Sequence, residues 1–336
     1  MSQRLAALIA LAGFAVLVIS ALMGGNLGLA DSPPSRISFQ IATGSTEGVF
    51  FPVGQAMAGL ISHPPGVGRC DTATVCGPAG VILSARTSEG AADNLRSVNG
   101  GAVDSGFADG DVVAAAIKGE GAFRRKAGHL RVIAALFPEE AHLVAAAPIR
   151  AVADLRGKRV WLGAPNSGAL MRSRAILDAY RVRVREIVSD AAPAQLLRDG
   201  RIDAYFAVAG VPLDSVKDLL AHHAARLVPL DGEGRDRLLK AAPQLQAAVI
   251  PANAYPGQAA VETVATRAWW VTRDSESDAL VYGMVRALFH PANRAALTAS
   301  HPSARAIGLD SAAQNPPAPF HSGAARFYRE MGKLPR

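Results

Sequence analysis

Ile41-Ala42-Thr43-Gly44-Ser45-Thr46-Glu47-Gly48-Val49-Phe50-Phe51-Pro52-Val53-Gly54 is the stretch whose reading decides the fold. The apolar run Ile37 to Thr43 predicts a strand, and Pro52 to Ser62 predicts a helix. Between them lies a small polar turn. Gly44 and Gly48 let its backbone bend tightly and approach a ligand closely. Thr43, Ser45 and Thr46 supply hydroxyls. The free N–H groups and positive dipole end of the following helix favour an anion by about 0.3–2 kcal/mol. The Gly-Lys-Ser/Thr ending of a phosphate loop and the G-x-G-x-x-G spacing of a dinucleotide loop are both missing. A plain strand–helix turn with a serviceable cap also fits this segment taken alone.

The same design recurs along the chain. Ala85-Arg-Thr-Ser-Glu-Gly90 precedes the predicted helix Ala91 to Val98. Gly106-Phe-Ala-Asp109 ends a strand before the helix Asp111 to Lys118. Ala164-Pro-Asn-Ser-Gly168 follows the strand Lys158 to Gly163, and Ser167 can cap the helix that runs on to Tyr180. Ala209-Gly-Val-Pro212 ends the strand Ala204 to Ala209 before the helix Asp214 to Ala224. Leu130 to Leu136 and Leu143 to Ala147 read as separate strands, and the tail reads as helical. The alternation implies an α/β fold with mainly parallel sheets. Such sheets bind ligands beyond the carboxyl ends of their strands. Five Gly- and hydroxyl-rich turns at that level point to a binding cleft. With no repeat and no low-complexity linker, lobes joined by crossing strands fit better than separate beads.

Composition narrows the function. Arg4 is followed by the uncharged run Leu5 to Met23, which reads as an export signal, and Gly28-Leu29-Ala30 predicts cleavage before Asp31. The run is also close to the roughly 20 residues that span a bilayer, so a retained anchor is the competing reading. Either way the body lies outside the cytoplasm. The net charge of +7 is spread along the chain with no basic block interleaved with aromatics, which argues against nucleic acid. The only two cysteines, Cys70 and Cys76, read first as a disulfide in an exported chain. Metal binding lacks further Cys or His ligands at a zinc-like spacing. No cofactor motif is visible. An enzyme is disfavoured: Gly-x-Ser-x-Gly does not occur, Ser45 has no partner His or Asp, and helical register is expected to point Asp109 and Asp111 apart.

Taken in order, these segments resemble the TAXI family of solute receptors for tripartite ATP-independent periplasmic (TRAP) transporters. The resemblance is carried by Thr43 through Gly54, by the helix start around Ser88 and Asn94, and by Gly106-Phe-Ala-Asp-Gly-Asp111. It continues through Val152 to Val160, Asp203-Ala-Tyr-Phe206, Gly210-Val-Pro212, Pro251 to Gly257 and His321 to Tyr328. It implies a two-lobed, type II periplasmic-binding-protein fold closing by hinge motion. Residues 1–30 would be the signal, 31–140 with 262–336 lobe I, and 141–261 lobe II. The implied function is capture of a small carboxylate-bearing solute (dicarboxylate, amino acid or 2-oxo acid) by a periplasmic monomer. Delivery would be to TRAP permease subunits, which can be fused. The alternative is a membrane-anchored sensor with the same ectodomain.

Carried over position by position, Thr43, Gly44, Ser45, Thr46, Val49, Phe51, Ser88, Asn94 and Asp109 would form one wall. Pro165, Ser167, Gly168, Gly210 and Pro212 would form the other. Phe50 and Phe51 stand where the family often has tyrosines, and Ala169 where it usually has threonine. Glu47 adds a negative charge beside the turn and is expected to point outward. Arg86, Arg172 and Arg174 are candidate carboxylate clamps, Arg86 the best placed, with a structural or solvated role as the alternative for each.

Overall fold

Strand β1 (Ile37–Ala42) runs into helix α1 (Phe50–Ile61), whose buried Val53, Met57 and Ile61 recur at the four-residue spacing of one helix face. His63-Pro64-Pro65 stops the helix, because a residue before proline avoids the helical region. The same βα step repeats with β2 (Val81–Arg86), α2 (Ala91–Gly100), β3 (Ser105–Asp109) and α3 (Gly110–Lys118). A second series holds β5 (Arg159–Gly163), α4 (Gly168–Tyr180), β6 (Arg185–Val188), α5 (Pro193–Arg198), β7 (Ala204–Ala209) and α6 (Asp214–Ala221). This is a computed structural model that describes residues 36–66, 70, 75–165, 167–222 and 225–336. The export signal and its cleavage point fall outside the described residues.

Two long strands tie the series together. β4 (Leu130–Ala145) and β10 (Val261–Arg273) pair antiparallel with each other at the middle of a single sheet ordered β2-β1-β3-β10-β4-β7-β5-β6. β8 (Arg226–Val228) joins β4 off this path, and β9 (Gln246–Ile250) joins β10. The mainly parallel sheet expected from the alternation holds on the two flanks, β2-β1-β3 and β7-β5-β6, and gives way to antiparallel pairing at the centre. The expected break between Leu136 and Leu143 is also absent. Pro138 cannot donate to a ladder, but it lies opposite Arg267, where the register with β10 slips, so the strand continues through it.

The core follows from strand alternation. Trp269 and Trp270 point to opposite faces of the sheet and enter two different apolar clusters, and Tyr205 and Phe206 do the same. One cluster runs along one face through both series, while the other face carries a separate cluster for each. Residues Ile37–Arg336 form one compact unit. Cys70 and Cys76 are joined by a disulfide with a Cα–Cα distance of 5.3 Å. The ring is short, so its loop-closure contribution is roughly 2 kcal/mol. Its loop is held to the body by Asn293, whose Nδ2 donates to the Val75 carbonyl at 2.7 Å. Among the described residues no helix is long and apolar enough to cross a membrane.

Candidate functional site

The carboxyl ends of β1, β3, β5 and β7 meet the middle of β4 around a cavity of about 150 Å³. Its lining gathers Gly44, Ser45, Val49, Asp109, Ser167 and Gly168, drawn from both walls expected from the sequence, together with Gly48, Phe50, Gly90, Ala91, Glu139, Ala169, Val208 and Ala209. Three helices start there: α1 at Phe50, α2 at Ala91 and α4 at Gly168. Their unpaired N–H groups give that side of the cavity a positive potential. Hollows of about 380 and 480 Å³ lie elsewhere, lined chiefly by Gln244, Arg267 and Asn315 and by Arg96, Phe123 and Arg125. Neither has three helix starts and two buried carboxyl groups along its wall.

Most of the hydroxyls that suggested the site are engaged in local structure. Thr43 is fully buried, and its Oγ1 donates to the Arg86 carbonyl at 2.7 Å. Ser167 caps α4, accepting from the Leu170 N–H at 3.1 Å and donating to the Ala164 carbonyl. Ser88 Oγ accepts from the Gly90 N–H. Asn94 is buried and donates to the carbonyls of Thr43 and Phe107 at 2.7 and 2.8 Å, stitching β1 to β3. Thr46 and Pro165 are exposed, Phe51 is half-buried, and none of the three lines the cavity. Gly210 and Pro212 instead pack against the 301–303 segment, where Ser303 Oγ donates to the Val211 carbonyl and the His301 ring bonds the Pro212 carbonyl. Glu47 is exposed, as expected.

The arginines divide similarly. Arg86 donates to Gln40 Oε1 at 2.6 Å and, with Ser88, borders a separate surface depression. Arg174 pairs with Glu186 in solvent. Arg172 is 1% exposed and binds Asp111 through both Nε and Nη2, with Asp109 Oδ1 3.7 Å away. The expectation that Asp109 and Asp111 point apart is therefore corrected. Asp109 belongs to the strand end and only Asp111 to the helix, so both reach one guanidinium. Burial works against the charge of Arg172, but Asp111 and Asp109 outweigh it and hold its pKa above the usual value.

The sequence reading missed Glu139. It is 3% exposed, lies on β4 and lines the cavity beside Asp109. Burial raises its pKa well above the carboxylate range, and the neighbouring Asp109 adds to the rise. The signal that marks it is the pair Glu139-Glu140 interrupting an otherwise apolar strand run. Ala169, noted only for its missing hydroxyl, also lines the cavity. Gly168 is required by close approach: a Cβ there would lie 2.5 Å from Asp109 Oδ2 and 3.0 Å from Val112 Cγ2. Gly168→Ala is expected to cost about 1–3 kcal/mol by overpacking. Urea denaturation measures it, and a loss below about 0.5 kcal/mol would mean that the Asp109 carboxyl swings away freely.

Parallel βα flanks joined by long crossing strands, with a cavity at the strand ends, make up the periplasmic-binding-protein fold. Over residues 41–332 the chain matches the NMT1-like family and belongs to it. Among solved structures it is similar to MatC from Rhodopseudomonas palustris with bound malate, at 15% identity over 89% of this chain and 98% of that one, TM-score 0.51. It is also similar to the alkanesulfonate-binding protein SsuA from Xanthomonas axonopodis pv. citri bound to MOPS, at 15% identity over 88% and 84%, TM-score 0.44. A third is a TctC solute-binding protein from Polaromonas, at 16% identity over 90% and 100%, TM-score 0.44. At 15% identity the likeness to MatC is one of fold.

Proposed function

We propose that this chain is an extracytoplasmic, non-enzymatic solute-binding protein that captures a small carboxylate-bearing solute in the cavity and delivers it to a TRAP-type membrane permease, as a TAXI-type receptor would. The observation that carries the reading is the convergence of three helix N-termini on one cavity at the carboxyl ends of the strands. A carboxylate placed there meets N–H donors that no side chain caps at α1 or α2. Of the three hydroxyl residues at the turn, Ser45 lines the cavity; it accepts from the Glu47 N–H and has no His bonded to it among the described residues.

In this reading residues 1–30 direct export to the periplasm. Residues 31–140 with 262–336, and residues 141–261, are lobes that close by bending β4 and β10, and the protein acts as a monomer. The uncharged run Leu5 to Met23 supports one alternative, an anchored ligand sensor. N-terminal sequencing of the mature protein separates the two, because a start at Asp31 leaves no anchor.

The test of binding is a thermal-shift screen of the mature protein against dicarboxylates, amino acids and 2-oxo acids. A ligand at a hundred times its Kd adds about 2.7 kcal/mol of stability. For a body of about 300 residues, whose unfolding entropy is about 0.6 kcal/mol/K, that is a rise of about 4 °C. No shift with any small solute, together with an empty cavity in native mass spectrometry, would remove the binding-protein reading.

A further inference from the structure

The floor of the cavity carries negative charge that the protein itself does not neutralise. Asp109 and Glu139 both line it and are 5% and 3% exposed. Arg172 is the cation that acts on both, and Asp111 already holds it by two hydrogen bonds. Asp109 is left with a 3.7 Å approach to it and a side-chain hydrogen bond with the Glu139 carboxyl, and no donor from any other residue reaches its buried Oδ1. The other groups packed around Glu139 do not help. Glu140 on the same strand adds negative charge, Val208 and Ala209 of β7 are apolar, and Thr266, opposite Glu139 on β10, is neutral. A buried acid pair short of a cation is costly, and such pairs mark functional sites. Across the cavity the helix starts favour the opposite charge.

We infer that the solute is zwitterionic: its ammonium group seats against Asp109 and Glu139, its carboxylate lies at the helix N-termini, and seating the ammonium releases the Glu139 proton to solvent. The inference rests on the reading of this cavity as the solute site. Free Glu139 keeps its proton because burial and Asp109 both disfavour a second negative charge. An ammonium within hydrogen-bond reach reverses both effects, so the O–H proton leaves while the amine keeps its own. A metal ion is the poorer occupant, because no group of three or more His, Cys, Asp or Glu suited to one occurs among the described residues.

The probes are matched pairs that differ by one amine: propionate and β-alanine, succinate and aspartate, glutarate and glutamate. Isothermal titration in two buffers of different ionisation enthalpy reads affinity and proton release together. At least one amine-bearing member is expected to bind tenfold or more tighter than its partner. Binding should release up to one proton, and affinity should rise by up to about tenfold per pH unit while Glu139 is protonated in the free protein. Glu139→Gln, which keeps a neutral polar group, is expected to abolish the proton release. Equal or tighter binding of the amine-free members overturns the ammonium subsite and leaves the binding-protein reading standing. Amine-selective binding without proton release in the wild-type protein overturns the role of Glu139. If no member of any pair binds, the binding-protein reading fails and the inference falls with it.

Discussion

Arg172→Met is expected to lower the stability of the fold by about 3–5 kcal/mol, because it removes one partner of a buried ion pair and leaves the others charged. The guanidinium is 1% exposed and sits between Asp109 and Asp111, with Glu139 close enough to feel it. Without it, carboxyl groups on β3, α3 and β4 face one another with no cation among them. Two further measurements make the cause specific. Acidification should restore part of the loss, because protonation removes the repulsion. The double variant Arg172→Met, Asp111→Leu should be far more stable than Arg172→Met alone, because an apolar pair replaces the ion pair. A loss below about 1 kcal/mol in urea denaturation at neutral pH would show that solvent reaches these acids and that Arg172 is not their counter-charge.

His142 is expected to make the protein acid-sensitive by about 3 kcal/mol between pH 6.5 and pH 4. It is fully buried, and burial lowers its pKa from 6.5 to about 4. Tyr255 Oη accepts from the Leu213 N–H at 3.0 Å and lies 2.8 Å from His142 Nε2. His142 Nδ1 lies 2.9 Å from the Glu140 carbonyl. The arrangement suits a neutral ring whose Nδ1–H donates to Glu140 and whose Nε2 accepts from the tyrosine hydroxyl. Between the two pKa values the unfolded chain binds the proton and the folded one does not, so stability falls as pH falls through that window. Glu140 acts in the opposite sense, since burial raises its pKa to about 7 and stability tied to it falls as pH rises from 4.5 to about 7. The two effects overlap, so the reading is a difference. His142→Gln should be less stable than the wild type at pH 7, and the gap should shrink by about 3 kcal/mol at pH 4. A gap that does not change with pH would mean that the ring takes up its proton in the fold as readily as in the unfolded chain.

Much of the architecture was legible in the chain. β1, β3 and β5 and the helices α1 to α4 and α6 lie within a few residues of where apolar period and turn chemistry predict them, since local backbone preference and amphipathic period agree there. The centre of the sheet was less legible. Pro138 and the Glu139-Glu140 pair look like the end of a strand, and only the bulge in the pairing with β10 explains how one strand passes through all three. α7 (Gly232–Ala241), β9 and the first half of β10 were not anticipated. α7 is polar, with Gly234 and Leu238 as its buried residues, so its apolar period is weak. Strand pairing is non-local, and nothing near Val261 shows that β9 lies beside it.

The stretch Ile41 to Gly54 and its repeats were enough to place a cavity at the strand ends, because strand, turn and helix start are local events. Gly44, Ser45, Val49, Asp109, Ser167 and Gly168, carried over from the family resemblance, line that cavity. Which groups face the cavity was a tertiary decision. The hydroxyls of Thr43 and Ser167, and the Asn94 amide, are turned to backbone partners. Asp109, Glu139 and Arg172, drawn from β3, β4 and α4, are brought together by the sheet order β3-β10-β4-β7-β5. Charge acts through space rather than along the chain, so the balance of the site could be counted only once those strands were side by side.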